Sequence, residues 1–294
     1  KKTDNTMEVT TTSTEDINGT TICENEMQVS IPSLDKRLTL TLIQSEWEME
    51  PIFSGAAWAG SVLWAASQVL VENLLLKRKL DDLSVLELGC GLGIPGMVCS
   101  LLGAKEVLLT EQPQLVPLLI KNVERNFLTD KNDNIESSEP SSSNSSSASS
   151  SHLQQLYQSP KVAELSWGTK ETELFLENRK ENNQKESFDI ILICDCVFEP
   201  LYGDSWILLS ETLNVIVKEN DSNTEVLIAC ERRDEDAIDS FLDLLNKTFI
   251  ISIVWTNFND NELLPLLENS HVGGEKKPLR IYSIKRRINE GMKE

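Results

Sequence analysis

Three carboxylates, a run of alternate glycines and two tryptophans have the types and spacing that chemistry would need. In Val85-Leu86-Glu87-Leu88-Gly89-Cys90-Gly91-Leu92-Gly93-Ile94-Pro95-Gly96, a short apolar run ends in an acid and glycines follow at alternate positions. Glycine lets a chain turn sharply and brings its backbone against a flat ligand. Gly91-x-Gly93-x-x-Gly96 also satisfies the dinucleotide fingerprint, so the glycines alone leave the ligand open. Glu87 weighs between the alternatives, because a carboxylate there repels a pyrophosphate and attracts an ammonium. The pattern suits a cofactor with a positive end. A glycine-rich turn without any ligand is the bland alternative.

Two further acids fall in comparable places. Glu106-Val107-Leu108-Leu109-Thr110-Glu111 reads as a second buried strand, and Glu111 lies 18 residues past Gly93. A strand-end carboxylate at that distance can accept both ribose hydroxyls of an adenosine; an ordinary helix-capping acid is the alternative. Phe188-Asp189-Ile190-Ile191-Leu192-Ile193-Cys194 is the most apolar strand, and Asp195 ends it, followed by Cys196-Val197-Phe198. Trp167-Gly168 follows the apolar stretch at Val162–Leu165. Trp58, set among small residues in Gly55-Ala56-Ala57-Trp58-Ala59-Gly60, suits either a core or a flat wall for a ligand. His152 and His271 are the only histidines and both stand in loop-like sequence, so a histidine triad or a metal centre is not expected.

The elements that position these residues follow from periodicity. From about residue 80, strands and helices alternate, with polar residues gathered at the strand exits, which predicts a doubly wound, mostly parallel α/β sheet. Helices are expected over Val62–Leu76, Gln112–Asn126, Tyr202–Val217 and Ala237–Leu245. Strands are expected over Thr224–Cys230, Ile250–Trp255 and Leu279–Lys285, the last two as an antiparallel pair. Ligands bind such sheets beyond the carboxyl ends of the strands, where Glu87, Glu111, Trp167 and Asp195 all fall. Upstream, Met27–Ile31 and Leu38–Leu42 alternate around Pro32–Lys36 and predict an N-terminal β-hairpin extension.

Composition bounds the rest. The 294 residues can hold one large α/β domain with appendages. Residues 1–25 carry almost no large apolar side chains and are expected to form a disordered tail. Eleven of the fifteen residues from Ser137 to Ser151 are serine, which cannot build a core, so about 128–160 is expected to be a disordered surface insertion. The domain itself spans 26–286, with 287–294 as a second tail. A net charge of −20 repels phosphate backbones and argues against nucleic acid. Six cysteines without metal-like pairing suit a reducing compartment, and the cytoplasm is the expected location, with the nucleus as a second. No apolar run approaches membrane length, and a monomer is expected.

Taken together, the residues resemble the seven-β-strand S-adenosylmethionine-dependent methyltransferases, and within them the non-histone protein-lysine methyltransferases that modify chaperones and translation factors. Trp58, Glu87-Leu88-Gly89-Cys90-Gly91, Trp167-Gly168 and Asp195-Cys196-Val197-Phe198 carry the likeness, over roughly residues 27–127 and 162–286. The resemblance implies that Gly89, Cys90 and Gly91 hold the methionine part of S-adenosylmethionine with Glu87 near its ammonium. It implies Glu111 at the ribose, Trp167 by the adenine, Trp58 in the pocket wall, and Cys194 in contact through its backbone. Asp195 would orient the lysine amine, and Phe198, where many members have tyrosine, would face the cationic side chain. Three rivals stand beside it: a nucleic-acid amino-methyltransferase, a small-molecule methyltransferase, and an inactive module that keeps the cofactor pocket. The first typically carries an Asn/Asp-Pro-Pro-aromatic pattern, and here Cys196 and Val197 fill the middle.

Overall fold

The computed structural model describes residues 6–12, 26–41, 59–60, 62–127, 157–263 and 277–288. Its frame is a seven-stranded sheet in the order β6-β5-β4-β7-β8-β10-β9. The strands are β4 (Ser84–Leu88), β5 (Glu106–Glu111), β6 (Lys161–Glu164), β7 (Ile190–Cys194), β8 (Glu225–Glu231), β9 (Phe249–Thr256) and β10 (Leu279–Arg286). All neighbours from β6 to β8 run parallel, and β10 is antiparallel to both β8 and β9. This is the doubly wound, mostly parallel sheet that the alternation predicts, with the expected antiparallel pair at one edge.

Side chains alternate across the sheet with the period of two that a strand imposes. Ile190, Leu192 and Cys194 join one core, while Ile191 and Ile193 join the other. The first core takes helices α1 (Ala65–Asn73), α2 (Ile94–Leu101) and α3 (Val116–Phe127). The second takes α4 (Thr169–Glu181), α6 (Ser205–Ile216) and α7 (Ile238–Leu245). Between β7 and α6 stands a single helical turn, α5 (Glu199–Tyr202), with Pro200 in its first turn, where a missing N–H costs nothing. Burial on both faces explains why β4 and β7 are apolar except at Ser84 and Glu87.

The N-terminal extension has three strands where the alternation predicts two. β2 (Glu26–Ile31) and β3 (Lys36–Thr41) form the expected hairpin, and β1 (Glu8–Thr12) pairs antiparallel with β2. That strand lies within the stretch 1–25 expected to be a disordered tail. Its composition hides it, because backbone pairing holds it in place and Met7 is its buried anchor, the Met7 N–H donating to Glu72 Oε1 at 2.6 Å. At the other end of the expected insertion, residues 157–160 are ordered: Tyr157 packs on the first core and Ser100 Oγ donates to the Gln158 carbonyl. The serine run itself, like Trp58, lies outside the described residues.

Helix α3 closes the free edge of β3 with side chains. The Asn122 amide accepts the Thr41 N–H at 2.7 Å and donates to the Thr41 carbonyl at 3.4 Å. Asn126 repeats the pair on Thr39, at 2.7 and 2.8 Å. The match is geometric, since four helical residues rise about 6 Å and two strand residues about 6.8 Å. Asn122→Ala leaves the buried Thr41 N–H without its acceptor and is expected to cost about 1–3 kcal/mol in urea unfolding. The same change at half-buried Asn126 should cost less. Equal losses would mean that the two amides do not act as a strand-edge substitute.

Candidate active site

The carboxyl ends of β4, β5, β7 and the residue after β6 open into one cleft of about 270 Å³. Gly89, Cys90, Gly91, Glu111, Trp167, Cys194 and Asp195 all stand in its wall. Residues that are far apart in the chain thus meet because parallel strands deliver their exits to the same edge. Glu87 and Phe198 are not in that wall, for different physical reasons.

Glu87 sits one layer below. It is the polar residue on the α2 face of β4, 1 % exposed, and its Oε2 accepts the Gly96 N–H at 2.8 Å. Gly96 makes this approach possible, since a Cβ there would meet Leu109 at 2.2 Å and Glu87 Oε2 at 2.7 Å. The second oxygen, Oε1, is buried with no hydrogen-bond partner. Burial pushes the carboxyl up to about 8, against the pull of the Gly96 N–H and with a smaller push from Glu111.

The loop above is shaped around a flat object. Gly89 has φ +58, and a Cβ on it would lie 2.8 Å from the Trp167 ring and 2.9 Å from Cys196 Sγ. The ring therefore lies against bare backbone, where a side chain would exclude it. Glu111 ties the loop to β5: Oε2 accepts the Gly91 N–H and Oε1 the Gln112 N–H, both at 2.8 Å. An ionised carboxylate accepts further hydrogen bonds on its remaining lone pairs, so Glu111 still suits a hydroxyl-bearing ligand in the cleft. The thiols of Cys90, Cys194 and Cys196 are pushed well up by burial. They are neutral lining and not nucleophiles. Among the described residues no His, Cys, Asp or Glu cluster could hold a metal ion.

Also in the wall of the cleft stands Asp195, buried and held with φ +54, an uncommon backbone for a residue with a side chain. Its Oδ2 accepts from Arg233 Nη2 at 2.7 Å, and its Oδ1 from Arg233 Nη1 at 3.3 Å and from the Glu231 N–H at 3.1 Å. Burial raises its pKa, with the Arg233 charge pulling the other way. The Phe198 ring is turned to this pair: Arg233 Cζ lies 5.0 Å from its centroid and 5.3 Å from that of Trp64. The aromatic side chain that α5 does give to the cleft is Tyr202, one turn after Phe198.

Arg233, Trp64 and Tyr202 are the residues that sequence reasoning missed. Arg233 lies beyond the strand expected over Thr224–Cys230, and nothing in its spacing ties it to Asp195. Trp64 sits at helical spacing from several leucines and reads as core, but α1 begins at Ala65, so Trp64 is turned out to the cleft.

A Rossmann-like sheet, a glycine cradle and acids at three strand exits define an S-adenosylmethionine-dependent methyltransferase. The sequence profile of the family described as lysine methyltransferase matches residues 54–139 and 148–248, and the chain belongs to that family. It is 32% identical to Secreted RxLR effector protein 48 of Plasmopara viticola, over 65% of this chain and 79% of that protein. It is 29% identical to Protein N-lysine methyltransferase METTL21A of Mus musculus, over 66% of this chain and 70% of the relative. Protein N-terminal and lysine N-methyltransferase EFM7 of Debaryomyces hansenii matches at 27%, over 47% and 46%.

Glu87 should leave a mark on stability. A carboxyl whose folded-state pKa lies above its ordinary value of 4.5 favours the folded state fully below that value. That contribution is lost as pH rises from there through about 8. Glu87→Gln removes it, so the variant should gain stability relative to the parent between about pH 5 and 8.5 in urea titrations. A difference that does not change with pH would show that Glu87 is ionised throughout.

Proposed function

We propose that this chain methylates a lysine side chain on a protein, with the cofactor held by the glycine loop and the acceptor amine brought to Asp195. One observation carries the reading: Glu111, Trp167, the glycine loop and Asp195 line a single cleft. The residues present fit S-adenosylmethionine. Gly89 and Gly91 offer backbone where a side chain would collide, and Glu111 offers acceptor atoms only. Trp167 offers a flat apolar face, and beneath the loop Glu87 holds a buried oxygen that lacks a partner. When bound, this cofactor supplies a methyl group activated by a sulfonium.

The protein's own task is to align and discharge the amine. A free lysine has a pKa near 10.4, so roughly one in a few thousand is neutral at pH 7. A largely apolar cleft disfavours the charged amine. Asp195 supplies a fixed acceptor for its N–H, and Tyr202 and Trp64 confine the side chain. Alignment of the two reactants then accounts for most of the acceleration.

The acceptor is a protein of the translation-factor or chaperone kind, met in the cytoplasm or nucleus by a monomeric enzyme. Nucleic acid is disfavoured as a substrate by the net charge of −20.

Labelled cofactor added with this protein to a cell extract should mark a discrete protein band on lysine. Asp195→Asn should cut the label by about 10²-fold or more. It should keep the melting-temperature rise that S-adenosylhomocysteine gives by binding the folded state. Label that appears only in small molecules or nucleic acid would overturn the reading.

A further inference from the structure

The place where an acceptor lysine would put its charge already holds one. Asp195 lines the cleft, and both of its oxygens accept from the Arg233 guanidinium. That guanidinium lies against the rings of Phe198 and Trp64. A carboxylate with aromatic faces around it is the environment that a primary ammonium seeks. Arg233 is 12% exposed at its side chain, and it also lines a neighbouring groove with Glu199 and Glu235. It stands between the cleft and that groove.

Its neighbour Arg232 is differently placed. Arg232 is bound to Asp236 and Asp239, each at 2.8 Å, and is buried in the fold. Arg233 pairs with Asp195 and, at 3.4 Å, with Glu231, which also has Lys277 at 3.2 Å. If Arg233 swings away, Glu231 keeps a cation and Asp195 keeps the Glu231 N–H. Asp195 alone needs a new positive charge.

We propose that Arg233 is a displaceable gate and specificity residue: it fills the acceptor subsite until a cationic lysine side chain takes its place at Asp195. The inference rests on the reading of Asp195 as the acceptor's subsite. Exchanging one cation for another keeps the buried carboxylate paired while the acceptor enters. A neutral acceptor, such as a hydroxyl or a base amine, would displace Arg233 only by stranding that charge, which burial makes costly. The gate thus selects amines by rejecting uncharged competitors. Released from the pair, the guanidinium turns into the groove beside Glu199 and Glu235.

The test is binding of n-butylammonium, a lysine side-chain analogue, to the S-adenosylhomocysteine complex, followed by NMR titration. The parent and Arg233→Lys, whose subsite stays filled, should bind it weakly or not at all. Arg233→Met, which keeps an apolar chain against both rings, should bind at least about tenfold more tightly, a change that a shared subsite entails. Adding Asp195→Asn to it should abolish the gain. Equal affinity in parent and Arg233→Met overturns the gate. So does an Arg233→Met protein that no longer gains melting temperature from S-adenosylhomocysteine, which would make the residue a structural strut. In the extract assay, Arg233→Met should label protein at least as well as the parent when extract is dilute; a tenfold loss with intact butylammonium binding would also overturn the gate. Because the binding arm needs no turnover, a parent that labels nothing would count against the methylation reading and leave the gate to be judged on affinity.

Discussion

Four carboxylates are buried along the carboxyl edge of one sheet, and each has to be reconciled with a medium that disfavours its charge. The fold solves the problem four times by different means. Glu111 is answered by backbone N–H groups of the loops on either side of it. Glu87 receives one N–H and is pushed toward the neutral form. Asp195 is answered by a guanidinium and a backbone N–H, and Glu231 by Arg233 and Lys277. The glycine loop, the start of α2 and the exit of β8 are shaped by these pairings. A cofactor and an acceptor amine then meet groups whose charge state is already set.

The parallel frame could be read because strand burial on two faces leaves an unbroken apolar signature, as at Ile190–Cys194, and because each such run stops at an acid. What could not be read depended on direction. Periodicity places Phe198 three residues after Asp195, but only the turn into α5 decides that its ring faces Arg233 and that Tyr202 takes the cleft. Trp64 escaped for the same reason, since a shift in the start of α1 moves it from a core stripe to a wall. Glu87 was legible as an acid before glycines, but its depth was not. Gly96 brings α2 down onto the sheet and so seals the carboxylate beneath the loop.

The N-terminal sheet shows where composition misleads. β1 has one buried apolar anchor and would not fold alone, yet β2 offers it a full row of backbone partners. Disorder read from low hydrophobicity assumes that a segment must bury its own apolar surface. A strand added to an existing edge needs only hydrogen bonds already half made. The asparagine pair on α3 does at β3 what β1 does at β2, so both edges of the β2–β3 hairpin are covered.

A site that must wait for two partners cannot leave its charges bare in the meantime. On the cofactor side the waiting state is cheap, because backbone groups that satisfy Glu111 stay in place when a ligand arrives and spare lone pairs do the binding. On the acceptor side the waiting partner is a side chain, and it must leave. Affinity for the acceptor is then reduced by the strength of the Arg233–Asp195 pair. Discrimination rises by the same interaction, since only a ligand that restores the lost charge recovers it. The asymmetry fits the two roles: a small cofactor common to every turnover is met by rigid backbone, and the choice of acceptor is left to an arginine that can move.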